Sequence, residues 1–343
     1  MASRILWASL VLTPIVLAGR YVFSFGATAL FVLAAAALIP LAWLIGEATE
    51  HAAEHTGHGV GGLLNASFGN APELIIALFA VADGLPEVVR GSLTGSVVSN
   101  ILLVLGVAMI AGGDGKVDAR SLRWQLAAVF GAVALILIPS ALSWQGSSRE
   151  RHSLFLLSLP IAVVVLAAYL VVTIRNLRVH RAAQRGEASD SAWTLRKAIV
   201  VLAAATVATA LVSETLVHTL DRFGHAVGLN QFFIAVVIVA IVGNAAEHGG
   251  AVVIARRGNT ELATEIAITS SMQVAVFLIP VVTLLSWLVG PGLPLSFRAI
   301  EIVTMAAAAA FATFVIWDGR SRRWEGFVLV GAYGLAVVWY ALA

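Results

Sequence analysis

Gly69-Asn70-Ala71-Pro72-Glu73 lies inside one long apolar run, and Gly243-Asn244-Ala245-Ala246-Glu247 lies inside another. Each copy puts a carboxylate where a lipid-spanning helix should carry none. A charged carboxyl at the bilayer centre costs roughly 2.5–3.5 kcal/mol. Two such costs in matching contexts point to an ion site built from two related halves.

The surroundings of the two copies fix the class. The chain has 343 residues, 60% of them hydrophobic and 12% charged, and its mean hydropathy is +0.94. Soluble domains carry about 25% charged residues, so this is an all-α integral membrane protein whose partner is the lipid bilayer. A net charge of +2 does not argue for nucleic acid. The absence of cysteine excludes disulfides and thiolate metal sites.

Runs long enough to span, about 17–25 residues each, fall near 26–46, 61–83, 88–112, 122–140, 153–174, 196–219, 229–255, 262–289, 296–317 and 324–342. A shorter run at 5–19 precedes them, giving about eleven transmembrane helices. The first reads as a leading helix or as a cleaved signal peptide. The expected organisation is a leading helix over 1–24, five helices over 25–175, a loop over 176–195 and five more helices over 196–343. Placing the N-terminus and alternate loops on one side gathers fifteen of the 21 basic residues there. That side is expected to be cytoplasmic, in a cell (inner) membrane, with the C-terminus outside.

Five is odd, so the two sets enter the membrane from opposite sides. Such inverted repeats place substrate sites near the bilayer midplane. The repetition extends beyond the pentapeptide. Thr49-Glu50 matches Ser213-Glu214, and Thr94-Gly95-Ser96-Val97-Val98-Ser99 matches Ile268-Thr269-Ser270-Ser271-Met272-Gln273.

Helical spacing would set Asn70 with Glu73, and Asn244 with Glu247, on one helix face. The same spacing relates Ser96 to Ser99 and Ser270 to Gln273, with Asn100 beside Ser99. Each half therefore offers one carboxylate and several neutral oxygens. Calcium accepts six to eight hard oxygens in tolerant geometry, whereas a transition metal would call for His or Cys. Gly69 and Gly243 are read as helix breaks that expose carbonyls, and Pro72 as a residue that frees one about a turn earlier.

Two carboxylates facing one cavity need a counter-charge, and either a divalent cation or protons can supply it. That exclusion is the physical core of a cation/proton antiporter. Glu50 and Glu214, at helix ends, and His248, which follows Glu247, are candidates for a proton route. Glu47, Glu54, His51, His55 and His58 enrich the loop after the second helix.

Gly62 through Ile75 (GLLNASFGNAPELI) and Val242 through His248 (VGNAAEH) resemble the two alpha-repeat signatures of the calcium/cation antiporter superfamily. They look most like its proton-coupled branch, the CAX calcium/proton exchangers. Gly95 through Gly106 and Ser271-Met272-Gln273 are similar to the helices that follow each signature. The resemblance implies a sodium/calcium exchanger-like fold with the ion bound midway, frequent homo-oligomers, and alternating access by a sliding gating bundle. It implies Glu73 and Glu247 as central metal ligands, with backbone carbonyls near Gly69 and Gly243. Two departures stand out. The central loop has only Glu187 and Asp190 where many relatives carry an acidic helix, and Thr269 stands where the family more often has glycine.

The resulting expectation is a transporter, not an enzyme, without a cofactor: Ca2+ leaves the cytoplasm in exchange for protons. Na+(K+)/H+ exchange, Na+/Ca2+ exchange or an uncoupled cation channel are the alternatives. Gln273, with no carboxylate near Ser270, leans the choice toward protons.

Overall fold

The structure is a computed structural model that describes residues 2–144, 151–183 and 193–343. Helices α1 (Ala2–Ser9) and α2 (Leu12–Tyr21) lead into the 42-residue α3 (Ala27–Phe68), and α4 (Ala71–Ala82) follows after a two-residue turn. Helix α5 (Pro86–Val98) continues through a π-helical segment, Ser99–Val104, into α6 (Leu105–Gly112). Helices α7 (Ala119–Ser143), α8 (Arg151–Ala183) and α9 (Leu195–Val227) come next. Then α10 (Gln231–Phe233), a second π segment Ile234–Val239, α11 (Ala240–Gly243) and α12 (Ala245–Arg256) form one interrupted run. Helix α13 (Thr260–Gln273) passes through a third π segment, Val274–Leu278, into α14 (Ile279–Val289). Helices α15 (Ala299–Val315) and α16 (Arg323–Leu342) end the chain. Two-residue strands β1 (Gly115–Lys116) and β2 (Arg320–Ser321) pair antiparallel.

Among the described residues, seven helices are long and apolar enough to cross a membrane, or eight with the bent run over residues 231–256 taken as one span. Three further apolar helices, Ile5–Tyr21, Ala71–Ala82 and Ala299–Val315, occupy expected spans and fall in the shorter class of 10–17 residues. The count of eleven spans is therefore not confirmed among the described residues. Part of the reason is α3, which runs without a loop through residues 47–60. At 1.5 Å per residue its 42 residues extend roughly twice the 30 Å hydrocarbon thickness. Alanine, glutamate and histidine in that stretch continue the helix, and no proline stops it. Likewise α8 extends to Ala183, past the expected start of the central loop. Residues 184–192, including Glu187 and Asp190, lie outside the described residues, as does the His58 side chain.

Two compact units emerge, and neither follows the halves of the sequence. One takes Met1–Phe79, Ala167–Gly228 and Val242–Ala246, and the other takes Ala80–Leu166, Leu229–Ile241 and Glu247–Ala343. In the first, Phe31 stacks on Phe223 at 4.1 Å and His51 on Trp193 at 4.8 Å, so α3 and α9 run antiparallel. Leu44, Ile45, Ala48, Ala71, Leu202 and Ala205 form a core cluster of that unit.

In the second unit the residues after α14 run without helix, and their backbone N–H groups need partners where water is excluded. Serine hydroxyls supply them: Leu293 N–H donates to Ser286 Oγ (2.7 Å), Leu295 N–H to Ser158 Oγ (2.9 Å) and Phe297 N–H to Ser140 Oγ (3.0 Å). Gly106 and Gly326 bring α6 and α16 so close that a Cβ on either would meet the other's carbonyl oxygen at 2.8 and 2.5 Å.

Candidate ion-binding site

Both copies of the repeated pentapeptide interrupt a helix. Helix α3 stops at Phe68, Gly69 and Asn70 form a turn, and α4 restarts at Ala71 with Glu73 in its first turn. Helix α11 stops at Gly243, Asn244 turns the chain, and α12 restarts at Ala245 with Glu247 in its first turn. Across the second interruption the helix direction changes by 57°.

Asn70 and Asn244 thus occupy the cap position and Glu73 and Glu247 the third helical position. Asparagine suits a cap because it tolerates non-helical backbone. An acidic residue at the third position is favoured by the unsatisfied N–H groups and the positive end of the helix dipole, worth about 0.3–1 kcal/mol. The pattern Asn-x-x-Glu therefore encodes a helix start in each half. This corrects the expectation that Asn and Glu share one helix face, since each Asn stands outside the helix. It also corrects the reading of Pro72, which sits in the first turn of α4, where a missing N–H costs no intrahelical bond.

In the first unit Glu73 is 8% exposed, and Asn70 and Asn244 are each 1% exposed. The Glu73 side chain packs against Gly243. A Cβ on that glycine would lie 3.2 Å from Glu73 Cγ and 3.5 Å from Cδ. The carboxylate of the first copy thus rests on the glycine of the second.

In the second unit Ser270 Oγ donates to Glu247 Oε2, and Asn100 Nδ2 donates to Ser270 Oγ at 3.0 Å. With its amide nitrogen so engaged, Asn100 turns Oδ1 toward His248 Nε2, 3.0 Å away. That nitrogen must then carry the proton. The structure so joins Glu247, Ser270, Asn100 and His248, although Glu247 and His248 leave α12 in different directions. Ser271 Oγ donates to Val97 O at 3.0 Å and ties α13 to α5. Ser96 and Ser99 are buried, and the Ser99 hydroxyl reaches back to the Ser96 carbonyl at 3.4 Å. Gln273, half-buried, closes α13 at the start of its π segment. π segments recur at functional sites because they swing side chains off the helical register. Here one follows Ser96 and another follows Ser270, in corresponding places of the two halves.

The two outlying glutamates differ. Glu50 is exposed on α3. Glu214 lies near the middle of the 33-residue α9, 2.8 Å from Arg20 Nη2. Arg20 is one residue that sequence reasoning did not assign to a site. A second omission is a polar seam between α7 and α13. Thr269 Oγ1 donates to Gln125 Oε1 (2.7 Å), Gln125 Nε2 donates to Ser121 Oγ (3.3 Å), and Ser121 Oγ donates to Glu265 Oε1 (3.4 Å). The four residues stand four apart on each helix. That spacing, and a threonine where the resemblance called for glycine, were the available signals. Among the described residues no group of three or more His, Asp or Glu side chains could hold a metal ion. The donors that do gather are carboxylate, amide and hydroxyl oxygens, which suit a hard cation.

The chain is similar to several known proteins. A Ca(2+)/H(+) antiporter, ChaA, of Bacillus subtilis is 37% identical, covering 91% of this chain and 92% of its own length. A Ca(2+)/H(+) antiporter of Synechocystis is 33% identical over 98% of this chain and 96% of its own. The solved structure of native YfkE superposes with a TM-score of 0.86 at 32% identity, covering 98% of this chain and all of that one. Residues 26–178 and 197–342 match the family described as sodium/calcium exchanger protein, and with most of its length so matched the chain belongs to that family.

Proposed function

We propose that the chain is a Ca2+/H+ antiporter that exports Ca2+ from the cytoplasm and admits protons by alternating access. It is a secondary transporter and carries out no catalytic reaction. Glu73 and Glu247 carry the exchanged ions, with Asn70, Gly243 and Asn244 supporting the first carboxylate, and Asn100 and Ser270 the second.

The observation that carries this reading is the chemistry around the two glutamates. Each opens a helix inside an apolar run, and the chain has no Lys or Arg between Arg20 and Arg90 or between Arg222 and Arg256. Glu247 accepts from the Ser270 hydroxyl, and the Glu73 side chain rests on Gly243. A carboxylate in that setting takes its counter-charge from what it transports, a proton or a metal ion. Relatives named Ca2+/H+ antiporters match nearly the whole chain, which favours this pair of ions over sodium exchange. The distribution of basic residues supports a cytoplasmic N-terminus.

Purified protein in proteoliposomes tests the coupling. An imposed pH gradient should drive Ca2+ uptake, and a protonophore should collapse it. Uptake that ignores the pH gradient and follows a sodium gradient would overturn the choice of coupling ion. A finer check concerns Gly243. A methyl there would press on the Glu73 side chain, so Gly243→Ala should weaken Ca2+ binding about tenfold, or ~1.4 kcal/mol. Gly249→Ala, whose added Cβ meets nothing within 4 Å, should bind like the parent in the same calorimetric titration.

A further inference from the structure

We infer that Arg20 is a positioning residue: the leading helix clamps Glu214 as a fixed anion and so removes it from proton carriage. The inference rests on the Ca2+/H+ reading only for its consequence for protons. The clamp itself stands on geometry. Arg20 closes the short helix α2, and its guanidinium forks onto two consecutive residues of α9. Nη2 donates to Glu214 Oε1 at 2.8 Å, and Nη1 donates to Thr215 Oγ1 at 3.0 Å. The Thr215 hydroxyl hydrogen is spent on Leu211 O at 3.0 Å, so its lone pairs face the arginine. Tyr21 lies under the same guanidinium at 5.0 Å.

A lone carboxylate near the middle of a spanning helix is costly, and pairing with arginine is the usual resolution. The pair is largely withdrawn from solvent, with side-chain exposures of 19% for Arg20 and 28% for Glu214. The other charged or titratable groups nearby are few. On α9, His218 follows one turn after Glu214, and α2 offers only Arg20 and Tyr21. Helix α3, antiparallel to α9, contributes none between Ala27 and Gly46.

The clamp breaks the equivalence of the two halves. Thr49-Glu50 and Ser213-Glu214 match in sequence, and both hydroxyl residues are fully buried. Glu50 remains exposed, whereas Glu214 is held by a residue from outside the repeats. Glu214 ties α2 to α9.

The test uses the full chain in lipid nanodiscs and in proteoliposomes. Hydrogen exchange over Leu12–Tyr21 should quicken at least about tenfold in Arg20→Gln and in Glu214→Gln, as local opening becomes easier. The exchanged pair Arg20→Glu/Glu214→Arg should recover most of the protection. In transport, Arg20→Gln should shift the pH profile because Glu214 loses its partner, and adding Glu214→Gln should return the profile toward the parent's. Arg20→Lys, which keeps the charge but loses the fork, should keep the parent's profile. Unchanged exchange over Leu12–Tyr21 in Arg20→Gln would overturn the clamp. A double variant whose profile stays displaced would overturn the consequence for protons. If the exchange results follow expectation while the parent shows no proton-coupled transport, the transport reading fails and the clamp stands.

Discussion

Glu247→Gln is expected to abolish Ca2+-driven proton exchange while leaving the protein folded, and Glu73→Gln is expected to do the same. Glutamine keeps the size of the side chain and an oxygen that can accept from Ser270 Oγ. It loses the negative charge that a hard divalent ion requires and the site at which a proton is carried. A loss of at least a hundredfold in Ca2+ affinity follows, about 2.8 kcal/mol. Folding should not suffer. A neutral amide in an apolar segment is easier to bury than a carboxylate, so each variant should melt at or slightly above the parent temperature. Binding by calorimetry, melting by intrinsic fluorescence and uptake in proteoliposomes separate the three effects. Near-parent uptake in either variant would remove that glutamate from the transport site.

The contrast with Glu214 sharpens this expectation. Glu214 has an arginine at 2.8 Å, whereas Glu247 accepts from the Ser270 hydroxyl. Neutralising Glu214 strands a cation and loosens α2. Neutralising Glu247 strands no charged hydrogen-bonding partner, because the group that donates to it is the Ser270 hydroxyl, itself held by the Asn100 amide. The same Glu→Gln change is thus structural in one place and functional in the other.

What could be read from the sequence follows from how local each signal is. The breaks at Gly69-Asn70 and Gly243-Asn244 were legible because a cap residue and an acidic third position are written within five residues. The apolar helices were legible because composition alone sets them. Asn100 reaching both Ser270 and His248 was not, because it joins positions 170 and 148 residues apart. Arg20 and Glu214, 194 residues apart, were missed for the same reason. Arg20 was counted only as a topology signal. Glu265 was not singled out, and its interest lies in the seam it shares with Ser121 on α7. The π segments were illegible for a different cause. Ile234-Ala-Val-Val-Ile-Val239 has the composition of any apolar helix, and the wider turn is dictated by what packs beside it.

That packing yields the largest expected effect on folding. Gly91 and Gly95 stand four apart on α5, the spacing at which small residues let two helices touch backbone to backbone. The surface they meet is the π segment Ile234–Val239. A Cβ on Gly95 would lie 2.0 Å from Val236 O and 2.7 Å from Ala240 Cβ, and one on Gly91 would lie 3.0 Å from Ala235 Cβ. At Gly95 the nearest obstacle is a backbone carbonyl, which cannot rotate away as a side chain can. The run that carries it leads directly into the break at Gly243-Asn244. Overpacking usually costs about 1–3 kcal/mol, and Gly95→Ala should reach or exceed the top of that range. Its melting temperature should fall by roughly 10 °C or more at about 2–4 °C per kcal/mol, or the protein should not be recovered in folded form. Gly131→Ala, where an added Cβ meets nothing within 4 Å, should melt with the parent. Ala240→Gly removes only the second obstacle, so it should not rescue Gly95→Ala. Full rescue would mean that the two helices touch through side chains and that the carbonyl at Val236 is free to move.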